Sequence, residues 1–387
     1  MPIDYSQEAI TKFGALMGSY AAPLVPNDQR SYWKLANSFD TILDFLIFVK
    51  HDDAPKVAKM VNTQYAASLK AIKGYHNAWF DDLGWWTIAA NRAEEQDFFP
   101  DIQPFSEIVT NCWSRFTGNA PFVWERHAQG TFPNCQPAVD HGVWNGYWEG
   151  TPDPPGKNWK GPKSGDPTSP GLEGIQNTVT NCVYLISAQR LAANDPNAKV
   201  VATNEYAFLS TWFSEQPNPL WWPGSFEGRS LVRERVSHFS NGDETPDFQL
   251  NWAWTGDQGL MLGALVDRIR LMGVSPTEGA DLLERAKQIV LGVEESLADN
   301  LLLRSYTKTG SPPDSENYDT GKGVFWRYLL HAWVFNSDLQ TVINQQDYKD
   351  FLTANADDAA NRPSTGQTFD QLTNDLSVLV AASYILK

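Results

Sequence analysis

The chain has 387 residues, with 30 basic against 46 acidic side chains and a formal net charge of -16. This acidic balance, without a Lys/Arg-rich block, argues against nucleic acid or an anionic membrane as the partner, and no apolar run reaches the roughly 18 residues of a spanning helix. Hydrophobic residues at 42% and charged residues at 20% exclude a disordered or fibrous chain.

Helical periodicity dominates the sequence, with apolar residues recurring at three- and four-residue spacing. Twelve segments show this pattern, and no linker or shift in composition divides residues 1–387. We therefore predict an all-α chain that forms one domain. In chain order, the predicted helices are Ser6–Tyr20, Tyr32–Lys50, Lys56–Lys73, Leu83–Asp97, Phe105–Phe116, Ile175–Ala193, Lys199–Gln216, Asp257–Gly273, Thr277–Ala298, Gly323–Asn336, Gln345–Ala360 and Gln371–Leu386.

The connections between these helices alternate in length. Those after the second, sixth, eighth and tenth helices are short (the last is SDLQTVIN), whereas most that follow odd-numbered helices are long and rich in Gly, Pro and Trp. Long loops of this kind are usually functional, and their alternation places them at one end of an up-down array. Twelve helices then close into two concentric rings of six, with a loop-walled cleft at one mouth. A superhelix of helix pairs has the same helix count but does not require the alternation.

Three absences bear on the compartment. The N-terminus lacks a basic region followed by an apolar stretch, no Asn-x-Ser/Thr sequon occurs, and three cysteines (Cys112, Cys135 and Cys182) cannot all pair within one chain. These features favour an intracellular protein over a secreted one whose signal has been removed.

Signatures of cofactor and metal sites are also missing. We find no glycine-rich phosphate loop, no nucleophile elbow and no zinc-type spacing among the six histidines. The acidic stretch 314–321 lacks the spacing of a helix-loop-helix calcium site and is interpreted as a solvated loop. No cofactor and no metal is therefore predicted.

The strongest local signal is a pair of adjacent acids, Asp81 and Asp82, at the start of a predicted helix. An Asp there commonly caps the helix, but one acid is enough for that. Dense aromatic packing around two acids is costly unless one is protonated, and it is one way for neighbouring carboxyls to acquire unequal pKa values. Capping with core packing, and passive ligand binding, stay open as alternatives. The flanking aromatic residues are Tyr75, Trp79, Phe80, Trp85 and Trp86.

The spacing of the pair suits glycoside chemistry. Successive Cα atoms lie about 3.8 Å apart, and diverging side chains can place the carboxyls roughly 5–5.5 Å apart, as in retaining glycosidases. One acid then attacks the sugar and the other shuttles the proton. Trp79, Trp85 and Trp86 offer apolar faces on which sugar rings can stack.

At these residues the sequence resembles glycoside hydrolase family 76, whose signature is similar to Asp81-Asp82 followed by Gly84-Trp85-Trp86. The resemblance implies an (α/α)6 barrel with endo-α-1,6-mannanase or mannan transglycosylase activity, in which Asp81 is the nucleophile and Asp82 the general acid/base. Further stretches that resemble family motifs are Trp33–Phe45, Gly142–Trp148, Asn177–Ala192, Thr255–Asp267 and Gly321–Leu329.

The same resemblance implies a set of residues that line the cleft. Other interpretations stay open for some of them: Asn177 can cap a helix, Gln258 can be a first-turn surface residue, and Lys322 and Arg327 can neutralise nearby acids. The implied residues, beside Trp79, Trp85 and Trp86, are Trp144, Asn177, Asn181, Glu234, Asp257, Gln258, Lys322 and Arg327.

The sequence departs from the family pattern at four of its motif positions. Gly256 and Asp257 stand where the family has Tyr and Asn, Cys182 stands in place of a Glu, and Glu234 in place of an Asp. The loss of the Tyr removes a stacking surface, and Cys replaces an acceptor with a weak donor.

These observations leave three functional hypotheses. The first is a retaining hydrolase or transglycosylase acting on α-1,6-mannan with Asp81 and Asp82. The second is a repurposed intracellular barrel that orients a small apolar metabolite, for instance for a cycloaddition. The third is a carbohydrate-binding protein without catalysis. In each case we expect a monomer that binds an oligosaccharide or another small molecule, without nucleic acid and without membrane insertion.

Overall fold

The computed structural model describes residues 3–25, 30, 32–118, 142–143, 174–211, 221–223, 230–232, 234–239, 253–306 and 318–387. Within these ranges the chain forms thirteen α-helices and a few short strands. All twelve predicted helices are present, with ends that differ from the prediction by a few residues. The predicted end of the seventh helix, Gln216, lies outside the described residues. Among these residues no helix has the length and apolar character needed to cross a membrane.

Six helices form an inner ring. Each packs against the next, and the last packs against the first, so the ring is closed. Helices α6 and α8 are buried on nearly every face because they contact both ring neighbours and an outer helix. The inner helices are α2 (Tyr32–Phe48), α4 (Phe80–Glu94), α6 (Thr178–Leu191), α8 (Thr255–Leu271), α10 (Gly321–Phe335) and α13 (Phe369–Ile385).

Six further helices surround this ring, and each packs on one or two inner helices. They bury one face only: in α3, for example, Val57, Val61, Tyr65 and Ser68 follow the helical repeat and face the ring. The outer helices are α1 (Tyr5–Ala21), α3 (Ala54–Ala71), α5 (Gln103–Gly118), α7 (Pro196–Thr211), α9 (Pro276–Leu297) and α12 (Gln346–Asn361). The predicted barrel of two rings is therefore confirmed. The extent of the domain, residues 1–387, stays a prediction.

The structure corrects the sequence-based prediction at two connections. The stretch SDLQTVIN contains a thirteenth helix, α11 (Ser337–Ile343), because the Asn336 side chain accepts from the backbone N–H groups of Asp338 and Leu339 and the helix buries Leu339 and Ile343. The helix predicted from Ile175 begins only at Thr178, since the preceding residues form a strand.

The strands are short antiparallel pairs in the connections. One pair is β1 (Gly174–Asn177) with β4 (Arg235–Phe239), in which Ile175 lies opposite His238. The others are β2 (Trp221–Pro223) with β3 (Ser230–Val232), and β5 (Ala298–Asp299) with β6 (Leu302–Leu303). These strand pairs lie in the connections between helices, and the helical periodicity of the sequence did not predict them.

The first turns of the inner helices lie at one end of the barrel, which we call the mouth. Lys34 in the first turn of α2 pairs with Asp370 in the first turn of α13 at 2.6 Å. The first turns of α8 and α10 also lie together, because Gly256 and Gly321 both contact the ring of Trp254. The long connections run from outer to inner helices and therefore reach the mouth, as predicted.

Candidate active site

The acid pair lies in the first turn of α4, at the mouth. The helix begins at Phe80 rather than at the predicted Leu83, so both acids belong to the helix, and Trp79 is the N-cap residue. The Asp82 carboxylate accepts from the backbone N–H of Trp79 at 3.4 Å, and Asp81 Oδ1 accepts from the N–H of Asp82 at 3.1 Å. Asp82 thus satisfies one backbone group at the helix end, but neither acid is the N-cap.

Both carboxyls are held in a proton-retaining environment. Asp82 is 7% exposed and Asp81 is partly buried. Burial raises the pKa of Asp81 to about 7, although backbone N–H donors at the helix end oppose the shift. Burial raises the pKa of Asp82 well above its ordinary value, and the neighbouring Asp81 raises it further. Both carboxyls therefore favour the protonated form, and they titrate as a coupled pair.

Close packing beneath the pair fixes its position. A Cβ atom on Gly84 would lie 2.4 Å from Cγ2 of Val183, so only glycine lets α6 approach α4 so closely at this turn. Phe80 stacks on Phe116 at 5.7 Å with nearly parallel rings, and Phe116 in turn packs against Tyr184 at 4.4 Å. The backbone that carries the two acids is thus wedged between aromatic rings and α6.

The three tryptophans expected to stack on sugar rings take different positions. Trp79 is 52% exposed and lies two residues before Asp81. Trp86 is fully buried, donates from Nε1 to the Tyr32 carbonyl at 2.9 Å and packs edge-on against Tyr65. Trp85 is 2% exposed. Trp79 is therefore available to a ligand, whereas Trp86 is a core residue.

The two asparagines of α6 serve the fold. Asn177 caps the helix, with its side chain accepting from the N–H of Thr180 at 3.0 Å, which confirms the capping alternative. Asn181 is fully buried and bonds both backbone groups of Val143. Neither side chain forms an open cleft wall.

The two polar residues at the start of α8 are also fully buried. Gln258 bonds both backbone groups of Val232, so it is not the surface residue of the alternative interpretation. Asp257 lies close enough to Cys182 to raise the pKa of that thiol, together with burial and Glu205. The four positions at which the sequence departs from the family pattern thus include two, Cys182 and Asp257, that are electrostatic neighbours.

Glu234 lies at the mouth, where it is held by contacts that the sequence did not predict. Its carboxylate accepts from the Tyr318 hydroxyl at 3.3 Å, and its backbone carbonyl accepts from the N–H of Thr178 at the start of α6. Tyr318 also accepts, at its carbonyl, from Nε1 of Trp254 at 2.8 Å. The Trp254 ring fills the space above Gly256, where a Cβ atom would lie 2.4 Å from it. The sequence feature that could have indicated these contacts is the pair of glycines, Gly256 and Gly321, that pack against the Trp254 ring.

The remaining expected site residues lie apart from the pair or outside the described residues. Lys322 is half-buried in the first turn of α10; burial lowers its pKa, and Arg362 lowers it further. Arg327 is 3% exposed and bonds Thr41 at 2.9 Å and Asn37, so it belongs to the core. Trp144 lies outside the described residues, as do Cys135 and most of the acidic stretch 314–321.

The geometry can support acid/base chemistry on a neutral substrate. In the described part of the chain, no Lys or Arg forms an ion pair with Asp81 or Asp82, so their raised pKa values are not cancelled by a cation. The same residues contain no group of three or more His, Cys, Asp or Glu side chains arranged to hold a metal. One carboxyl that keeps its proton beside one that loses it more readily is the arrangement used to protonate a leaving group and attack the same centre.

Comparison with known proteins gives a clear answer for the fold. No protein-family model and no curated protein sequence matches the chain. Among solved structures, the chain is similar to an α-1,6-mannanase of glycoside hydrolase family 76 from Salegentibacter sp., with 15% identity, a TM-score of 0.64 and 99% of each chain covered. That structure is an inactive variant with two consecutive aspartates replaced by asparagine, in complex with α-1,6-mannotriose.

Two other structures support the same fold. Dfg5 from Chaetomium thermophilum in complex with glucosamine is 13% identical, with a TM-score of 0.65 over 99% of this chain and 90% of that one. A family 76 α-mannanase from Bacteroides thetaiotaomicron is 11% identical, with a TM-score of 0.51 over 99% and 96% of the two chains. The chain therefore has the six-hairpin (α/α)6 barrel fold of these mannanases.

Proposed function

We propose that the protein is a retaining glycoside hydrolase or transglycosylase that acts on α-1,6-linked mannan. The observation that carries this proposal is the acid pair itself: two adjacent carboxyls in the first turn of an inner helix at the mouth, both with raised pKa values. The inactive mannanase variant lacks two consecutive aspartates and binds α-1,6-mannotriose, which supports the same role for Asp81 and Asp82.

The two acids take different roles. Asp81, at the position of the family's nucleophile, acts in its ionised form and attacks the anomeric carbon. Asp82 keeps its proton through burial and through the charge of Asp81, and it donates that proton to the departing glycosidic oxygen. In the second step Asp82 takes a proton from water or from an acceptor sugar, which then displaces Asp81. Trp79, which is exposed and is the N-cap residue of the same helix, offers a face for a sugar ring.

The sugar-directed proposal is preferred to the alternative of an apolar metabolite. Both sugar complexes of the same fold place oligosaccharide or amino-sugar ligands in proteins of this architecture. The burial of Trp85 and Trp86 does not discriminate between the two substrates, because these rings were expected to line the cleft in either case.

The decisive experiment is turnover of defined α-1,6-manno-oligosaccharides by the unmutated protein and by Asp81→Asn and Asp82→Asn. We expect kcat/KM to fall by at least about 1,000-fold in each variant. Asp82→Asn should regain much of its glycosylation rate on a substrate whose leaving group needs no proton, such as a dinitrophenyl glycoside, whereas Asp81→Asn should not.

The chain offers a matched control for these variants. Asp370 follows a Phe in the first turn of α13, as Asp81 follows Phe80 in α4, but it is paired with Lys34. Asp370→Asn should keep turnover within about threefold of the unmutated protein. Absence of turnover by the unmutated protein on all such oligosaccharides, or equal losses in all three variants, would contradict the proposed function.

A further inference from the structure

Three buried amide side chains make the same set of hydrogen bonds. In each, the nitrogen donates to the carbonyl four residues earlier in the chain and to a carbonyl of a connection, and the oxygen accepts from a connection N–H. We call these side chains the amide locks: Asn181 in α6, Gln258 in α8 and Asn355 in α12.

Gln258 holds strand β3. Its Oε1 accepts from the N–H of Val232 at 2.8 Å, and its Nε2 donates to the Val232 carbonyl at 2.7 Å and to the Trp254 carbonyl at 3.1 Å. An amide nitrogen has two hydrogens, and both are used. Since the side chain is also fully buried, it has no donor to offer a ligand.

Asn181 holds a short piece of the longest connection. Its Oδ1 accepts from the N–H of Val143 at 2.8 Å, and its Nδ2 donates to the Val143 carbonyl at 3.1 Å and to the Asn177 carbonyl at 2.8 Å. The preceding Gly142 has φ +100°, and a Cβ there would lie 2.5 Å from the Phe208 ring. This piece is thus seated in one place against α6 and α7.

The contacts of Gln258 form a closed circuit around Glu234. Gln258 fixes Val232, two residues before Glu234, and it also fixes the carbonyl of Trp254. The Trp254 indole donates to the Tyr318 carbonyl at 2.8 Å, and the Tyr318 hydroxyl donates to the Glu234 carboxylate at 3.3 Å. Glu234 is therefore held through its backbone, by way of Val232, and through its carboxylate, by way of Tyr318 and Trp254. Gln258 bonds to both of these paths.

We propose that Gln258 and Asn181 are positioning residues that do not touch substrate, and that Gln258 sets the place of the Glu234 carboxylate at the mouth. This inference rests on the proposed function for its effect on turnover, but not for its structural content. Buried amides with complete hydrogen bonding specify one backbone arrangement, because any shift of β3 leaves several buried groups unpaired at once.

Asn355 supplies the matched control. Its Oδ1 accepts from the N–H of Leu303 at 2.9 Å, and its Nδ2 donates to the carbonyls of Leu301 at 2.7 Å and Phe351 at 2.8 Å. It therefore makes the same three bonds but holds the β5–β6 hairpin on the outer side of the barrel. A variant that lacks the Asn355 hydrogen bonds therefore measures the effect of losing one amide lock that is not bonded to the Glu234 circuit.

The first test is amide hydrogen exchange measured by mass spectrometry on the full chain. We expect Gln258→Met, which keeps the volume of the side chain, to speed exchange in peptides covering 230–239 by at least about tenfold and to leave 298–303 within about twofold. Asn355→Leu should show the reverse pattern. Gln258→Glu, which keeps the acceptor and loses both donors, covers the case in which Gln258→Met does not fold.

The second test is steady-state turnover of α-1,6-manno-oligosaccharides. Gln258→Met should raise KM by about tenfold with kcat within about threefold, and Asn355→Leu should change neither by more than about twofold. The inference is overturned if exchange in 230–239 is unchanged, or if Gln258→Met and Asn355→Leu have the same KM. If the unmutated protein has no turnover, the proposed function fails, and the exchange pattern alone decides whether Gln258 holds β3.

Discussion

Two buried carboxyls at opposite ends of the inner ring, Asp82 and Asp267, differ in the direction of their pKa shifts. At the mouth, burial raises the pKa of Asp82, and the adjacent Asp81 raises it further. Asp267, in the C-terminal half of α8, is fully buried as well, yet its pKa lies well below the ordinary value. Burial alone would raise it, but Arg190 at 2.7 Å and His331 at 2.8 Å more than offset that effect.

Asp267 belongs to a larger group, which we call the floor network. It joins acids and arginines in the central and C-terminal turns of five inner helices. Arg92 and Arg327 hold the pKa of Asp40 below its ordinary value in spite of its burial. Asp44 differs, because burial raises its pKa although Arg92 opposes the shift. The members of the floor network are Asp40, Asp44, Arg92, Arg190, Asp267, Arg327 and His331.

The comparison shows that burial does not by itself mark a functional carboxyl. Burial favours the neutral form of an acid where no cation is near. A buried acid stays charged only where a paired cation such as arginine offsets the loss of hydration. Acids of the floor network serve the fold, whereas the pair at the mouth costs stability at neutral pH. We therefore expect substitutions at the two ends to have opposite effects on the free energy of unfolding.

The largest effect is expected at the floor. Asp267→Asn removes the charge that pairs with Arg190 and accepts from His331 and Arg270. It leaves a buried guanidinium without its counter-ion, so the free energy of unfolding should fall by about 3–5 kcal/mol. Chemical denaturation at pH 7 measures it. A loss below about 1 kcal/mol would show that the floor acids do not serve the fold.

The opposite sign is expected at the mouth. A carboxyl whose pKa is raised by folding is most favourable below its unfolded pKa, about 3.9 for Asp, and that stability is lost as pH rises through the folded value. The double variant Asp81→Asn/Asp82→Asn removes this loss. Its free energy of unfolding should therefore exceed that of the unmutated protein by about 2 kcal/mol at pH 7. The difference should shrink towards zero near pH 4. A double variant that is less stable at pH 7 would break the comparison.

The pH dependence of turnover sharpens the assignment of roles. If Asp81 must be ionised to attack, and its pKa is raised to about 7 by burial, then kcat/KM should fall below pH 7 by up to about tenfold per pH unit. The fall reports the pair rather than one residue, because the two sites are coupled. A profile that stays flat from pH 7 to pH 5 would contradict a raised pKa at Asp81.

The smallest effect is expected at His331. Burial lowers its pKa, although Asp267 partly opposes the shift. A His whose folded pKa is depressed loses stability as pH falls through its unfolded pKa, about 6.5. His331→Gln should therefore remove a pH-dependent loss of less than about 1 kcal/mol between pH 7 and pH 5. Unfolding curves of both proteins at the two pH values measure it, and parallel curves would show that His331 does not titrate in this range.

The sequence predicted most of the helices but not the partners of the polar residues. Apolar periodicity is local, so each of the twelve segments carried its own signal, and the alternation of loop lengths gave the two rings. The hydrogen bonds of Gln258 run to Val232 and those of Asn181 to Val143, across 26 and 38 residues. No spacing rule links residues that far apart, so these partners could not be predicted, and the family resemblance alone placed both residues in the cleft.

What the sequence determined by itself is the succession of helices, the end at which the long connections gather and the presence of two adjacent acids at a helix start. Only the tertiary structure decided that those acids retain protons, that Trp86 lies in the core and Trp79 does not, and that Arg327 pairs with Asp40 at 3.2 Å rather than facing a ligand. The physical reason is that periodicity depends on near neighbours, whereas the solvation and charge of a side chain depend on every element packed around it.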